Sequence, residues 1–242
     1  MEMKRYLNVA MLFFVVSIFN ACKEKQPEII QNTKPLFYGK IVYSSNFESP
    51  DTVFKLNMEA ISPYKIEVYI NENNFRMIEY GGLSHSNLIL DKSIKAAWQL
   101  DTIKKLAYLG EYSDLGDPTA ELRDLMPDHF KPIVESTNEK ETILGHPCTK
   151  YKILRSGFIP ADNEAFICVA DDFRIPASRY DIQTEINHAA VPAPLILGYE
   201  DGAIMRLTVK TKSYTRSFEI TELQKDLFPT GIFEIPEDYQ KK

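Results

Sequence analysis

Along most of the chain, apolar and polar residues alternate one by one. In residues 64–70, Tyr64, Ile66, Val68 and Ile70 fall on one face and Lys65 and Glu67 on the other. This is the period-two pattern of a strand buried on one side. The same alternation predicts strands over 38–43, 54–58, 75–80, 88–90, 96–100, 105–109, 133–141, 149–154, 165–169, 195–198, 204–211 and 216–223, with turn residues between them. Strands this short and this closely spaced form an antiparallel meander or barrel. One segment breaks the pattern. Asp117 and Pro118 suit the cap and first turn of a helix, and Pro127 stops it, which predicts a helix over 118–126 with Leu122, Leu125 and Met126 on one side. Such a helix either plugs one end of the sheet as core or covers a cavity as a lid.

The N-terminus follows a different plan. Lys4 and Arg5 form a basic head, and residues 6–19 are apolar apart from Asn8 and Ser17. A spanning helix needs about 20 apolar residues, so this run has the length of a signal-peptide core. Phe19-Asn20-Ala21-Cys22 resembles the lipobox of bacterial lipoproteins. The resemblance implies a leader over 1–21, acyl chains on Cys22, a polar tether over 22–35 and one β-rich domain over 36–242. Each buried methylene contributes about 0.8 kcal/mol, so several chains on one residue hold a protein firmly on a membrane. Lys23-Glu24-Lys25 has no long acidic run of the sort linked to surface export. The expected location is therefore the outer membrane, facing the periplasm, with the cell surface as the alternative.

Without the leader about 220 residues remain, enough for one well-buried domain. Loss of Glu2, Lys4 and Arg5 takes the net charge from -6 to -7. An acidic chain of this kind has no electrostatic reason to bind nucleic acid. Cys148 and Cys168 are the cysteines left for the folded part, and export permits them to oxidise. Their strands are neighbours in sequence and should form a hairpin. A register that sets Cys148 opposite Cys168 also sets Lys152 opposite Glu164, a favourable charge pair. A disulfide and two buried free thiols are both open readings.

Several stretches carry a family resemblance. Residues 142–151, Thr-Ile-Leu-Gly-His-Pro-Cys-Thr-Lys-Tyr, resemble an "I-x-G-Y-x-C-x-K-Y" segment of Bacteroidetes lipoproteins of unknown function. Residues 169–176 are similar to their strand ending in "I-P", and residues 191–197, Val-Pro-Ala-Pro-Leu-Ile-Leu, to the stretch that names the GLPGLI family. Residues 233–239, Phe-Glu-Ile-Pro-Glu-Asp-Tyr, match the group's ending, in which a final strand closes with "F-x-I-P-x-x-Y". The resemblance implies a mainly β fold, an antiparallel half-barrel like that of LolA and LolB wrapped around a short helix, with an apolar interior. It does not imply LolA's shuttling, because a protein anchored through Cys22 cannot cross the periplasm freely.

The sequence offers little catalytic chemistry. His85, His129, His146 and His188 are scattered, without the spacing of a metal site. His146 and Cys148 could present a nitrogen and a sulfur, but they sit in a turn entering a strand. No serine lies in a nucleophile elbow and no glycine-rich phosphate loop or cofactor motif is present. Asp171-Asp172 and Glu237-Asp238 read as solvated loop charge, since acid/base work needs burial to shift a pKa. Two function classes stay open. In one, inward residues Ile66, Val68, Phe75, Met77, Trp98 and Leu207, closed over by Leu122, line a cavity for a lipid-like ligand. In the other, the interior is packed and the domain is a non-catalytic interaction module beside other envelope proteins.

Overall fold

Alternation becomes strand almost wherever the sequence carries it. The computed structural model describes residues 34–82, 87–91, 93, 94, 96–111, 133–155, 163–175 and 202–242. Its strands are β1 (Gly39–Glu48), β2 (Lys65–Ile70), β3 (Asn74–Tyr80), β4 (Asn87–Asp91), β5 (Ala96–Asp101), β6 (Leu106–Glu111), β7 (Ile133–Ile143), β8 (His146–Arg155), β9 (Glu164–Ala170), β10 (Ile204–Lys210), β11 (Thr215–Lys225) and β12 (Gln240–Lys241). Cys22, the predicted helix over 118–126 with Leu122, the predicted strand over 195–198 and the stretch over 191–197 lie outside the described residues.

All twelve strands belong to one sheet, in the order β12-β6-β5-β4-β3-β2-β1-β11-β10-β9-β8-β7. The fold is mainly β: a large open sheet, antiparallel throughout except where β12 runs parallel to β6. Its edges, β7 and β12, do not pair with each other among the described residues. The order holds two meanders, β1 to β6 and β7 to β11, joined where β1 pairs with β11 from Gly39↔Lys225 to Glu48↔Thr215. Gly39 begins that pairing at φ 145°, where a Cβ would stand 2.1 Å from the Gln224 carbonyl oxygen, so only glycine fits.

Two predicted elements turn out differently. Residues 54–58 are not a strand but part of a helix, α1 (Thr52–Ile61). Asp51 caps it, its Oδ1 accepting from the amides of Val53 at 2.9 Å and Phe54 at 3.0 Å. Phe54 then packs on Phe47 and Tyr214. Phe54, Leu56 and Met58 do alternate, but the cap and the four-residue spacing of Phe54 and Met58 decide the geometry. Residues 233–239 are turns and irregular backbone rather than a closing strand, and β12 follows them. The C-terminal segment instead covers the sheet, with the Ile232 carbonyl oxygen accepting from Arg76 Nη1 at 2.6 Å.

Both faces of the sheet are therefore buried in part. One face, the core face, carries Ile41, Tyr43, Ile66, Val68, Ile70, Phe75, Met77, Leu90, Ile153, Ile167, Leu207, Phe218 and Ile220 in a single cluster. Tyr43 on β1 donates to the carbonyl of Ile204 on β10, two strands away, at 3.2 Å. On the opposite face, Ile89, Leu100 and Ala107 form a second cluster under Trp98, Ile235 and Tyr239.

Cys148 and Cys168 are joined, with 5.6 Å between their Cα atoms, inside the usual range for a disulfide. Their register is not the expected one. Cys148 lies opposite Ala170, Cys168 opposite Lys150 and Lys152 opposite Phe166, so the two cysteines are diagonal neighbours. The pattern of alternation is the same after a two-residue slip, which is why the sequence alone does not distinguish the registers. Lys152 still reaches Glu164, at 3.9 Å.

The bond spans 20 residues, a loop whose closure is worth about 3 kcal/mol. Unfolded, unreduced protein should show no labelling of Cys148 or Cys168, and reduction should lower stability by about that amount in urea titration. Two reactive thiols before reduction would show that the pair is not bonded.

Candidate functional site

The core face gathers five of the seven residues expected to line a ligand site. The β2–β3 register sets Val68 opposite Met77 and Ile70 opposite Phe75, and Ile66 lies on the same face of β2. Leu207 reaches it from β10, opposite Phe218 and Ile167. All are buried, from 0% exposure at Val68 and Leu207 to 6% at Met77. Trp98 does not join them. On β5 it lies opposite Ile89 and Leu109, on the outer face with Leu100, beneath the C-terminal segment. The run Ala96-Ala97-Trp98-Gln99-Leu100 carries apolar side chains on both faces, so alternation there did not reveal the inward side.

Two polar residues on the core face were not singled out from the sequence. Tyr43 is buried, and burial pushes its hydroxyl far above the ordinary tyrosine range. Arg216 is 2% exposed and lies on β11 opposite Phe47 and Val209. Its guanidinium carbon stands 4.5 Å from the centre of the Phe218 ring, a cation–π arrangement. Its Nε donates to Ser45 Oγ at 3.5 Å, and its Nη2 is buried without a hydrogen-bond partner. Burial pulls its pKa below the usual arginine value, against the opposing influence of Tyr214 and Glu79. A signal for it was present: Arg216, Phe218 and Ile220 occupy alternate positions, so an inward Phe218 implies an inward Arg216.

The outer face carries a competing cluster. Glu67 accepts from Tyr80 at 2.9 Å, Lys65 at 3.1 Å and Tyr69 at 3.3 Å, and Lys40 stands 3.9 Å away. Lys40 also binds Glu222 at 3.0 Å. Burial alone would raise the Glu67 pKa, but the hydrogen bonds from Tyr80 and Lys65 and the charges of Lys65 and Lys40 outweigh it and hold the carboxyl below its ordinary range. The Tyr80 hydroxyl is pushed up to about 12, first by burial and then by Glu67. These charges satisfy one another, which is how a sheet face ties adjacent strands together.

Near the start of β8, His146 Nδ1 lies 2.8 Å from Asp172 Oδ2, and its ring meets Phe173 edge-on. Cys148, being bonded, has no thiolate to pair with it at a metal. Among the described residues, no group of three or more His, Cys, Asp or Glu side chains is placed to hold a metal ion. No described helix is long and apolar enough to cross a membrane.

The fold and the site together define an open-sheet β protein with one continuous apolar face and a buried arginine on it. No family model matches the sequence, and no curated protein does. Among solved structures, the chain is similar to an uncharacterized conserved protein from Thermus thermophilus, with TM-score 0.44, 9% identity, and 87% of this chain and 91% of that one covered. It is also similar to PNGF-II, with TM-score 0.43 and 11% identity over 84% of this chain, which spans only 30% of the PNGF-II chain. A LolA superfamily protein from Nitrosomonas europaea aligns with TM-score 0.31 and 11% identity, over 83% of this chain and 90% of that one.

A carboxyl held below its unfolded value near 4.5 stabilises the fold above that value, and loses the contribution as pH falls through its folded value. Urea midpoints of the native protein and of Glu67→Gln should therefore differ most near neutral pH and converge as the pH falls below the ordinary glutamate range. A constant difference across that range would show that Glu67 is not held in its charged form.

Proposed function

We propose that the chain is a lipid-anchored protein of the bacterial envelope that holds a hydrophobic, lipid-like ligand against the core face of its sheet. The observation that carries this reading is the number of strands behind one apolar face. A barrel of about eight strands is just filled by its own side chains, and the enclosed width grows with strand number. Here twelve strands share one open sheet, with the larger apolar cluster gathered along one face of it. Ile66, Val68, Phe75, Met77 and Leu207 are the side chains that an acyl chain would meet. Attachment through acylated Cys22 at the outer membrane completes the reading and rests on the lipobox-like residues.

A packed interior serving a non-catalytic interaction module is the second reading. The near-complete burial of those same five side chains favours it.

The purified protein should take up a fluorescent fatty acid saturably, and an excess of the ligand should raise its Tm, since a ligand that binds only the folded state stabilises it. Absence of saturable uptake would leave the interaction module as the better account. For the anchor, Cys22→Ala should abolish membrane partitioning of a mature-sized protein; its continued recovery with outer membranes would rule out lipidation at Cys22.

A further inference from the structure

The core face changes character along its strands. Near the start of β1 it presents Ile41, Val68, Ile70, Phe75 and Leu90, all sealed from water. Nearer α1 the same face carries Ser45 and Glu79, each partly exposed. Arg216 stands on that face beside Ser45, buried against Phe47, Val209 and Phe218. An amphiphile has the same gradient, from an acyl chain to a charged head.

The guanidinium is incompletely satisfied. Arginine keeps its charge in proteins, and an interior cation short of partners is costly. Ser45 supplies one long contact. Glu79 acts on Arg216 electrostatically, but it is partly exposed, so water screens it. The Nη2 group still lacks an acceptor. Because Ser45 Oγ accepts from Nε, its own hydroxyl hydrogen is available to donate. An anion seated beside Nη2 would receive one N–H and one O–H.

We propose that Arg216, with Ser45, is a head-group site for a single-chain amphiphile bearing a carboxylate or phosphate, whose acyl chain lies along Ile66, Val68 and Leu207. This rests on the ligand reading above and narrows it to anionic lipids. Charge-assisted hydrogen bonds to an arginine are the stronger kind, and one of them corresponds to about tenfold or more in affinity.

The test titrates the purified protein with a fluorescent fatty acid, its methyl ester, and an alkyl phosphate of the same chain. Inorganic phosphate is the chain-free competitor. The acid and the alkyl phosphate should each bind about tenfold or more tightly than the ester. Arg216→Met should bring both down to the ester's affinity while leaving the ester unchanged, and Arg216→Lys should keep part of the preference. Replacing a buried ion with an apolar side chain of similar size is often neutral or stabilising, so Arg216→Met should melt no lower than the native protein. The acid-to-ester ratio of the native protein tests the site without any variant. Equal binding of acid and ester would overturn the head-group site and leave the ligand reading standing. Saturable binding of none of the probes would overturn both, and displacement of the acid by inorganic phosphate would show a site for free anions instead.

Discussion

The pairing of β1 with β11 is the constraint on which the molecule turns. Nearly every other strand pair joins neighbours in sequence, from β1–β2 through β5–β6 and from β7–β8 through β10–β11. Most of these pairs close short loops at small entropic cost. β1 and β11 meet across most of the chain, and their long contact makes one sheet from two meanders. Without it each meander would leave a long edge open, a hazard for pairing with other chains. Gly39 lets the backbone start that contact, since a side chain there would strike the Gln224 carbonyl.

From that pairing the site follows. Joining the meanders puts Ile66, Val68, Phe75 and Met77 of one on the same face as Leu207 and Phe218 of the other. It also puts Ser45 of β1 directly opposite Phe218, next to the Phe47–Arg216 pair. The buried cation of the core face and the serine it donates to thus come from the two halves of the sequence, held together by the strand contact that builds the core. The core and the setting of the buried Arg216 share one element, and a change in the β1–β11 register would alter both.

Most strands were legible because one-sided burial writes its period into the sequence. Val68 and Leu207 face the core as their alternation requires. The misses have definite causes. Phe54, Leu56 and Met58 alternate like a strand, while Asp51 and the contact of Phe54 with Phe47 and Tyr214 make a helix. Trp98 faces outward because residues near the C-terminus bury the outer face there, so apolar character ceased to mean inward. The cysteine pairing was within reach but its register was not, since a slip of two residues preserves every facing direction. Arg216 was written in the sequence as a charged residue in an apolar row, and only its burial and its unpartnered nitrogen give that position chemical meaning.

The C-terminal segment has a bearing on how the molecule is made. Ile232, Ile235 and Tyr239 cover Arg76 and Trp98, and Gln240–Lys241 lies along β6. β11, which unites the sheet, ends only at Lys225. A chain that emerges N-terminus first therefore presents the first meander long before its partner strand and its outer cover are available. Such a chain can form local hairpins, but it cannot join its halves until Lys225 has emerged, nor cover the outer face and the β6 edge until Lys241 has. Folding thus waits on residues 215–241, and a chain that stopped before Thr215 would lack the seam as well as the cover.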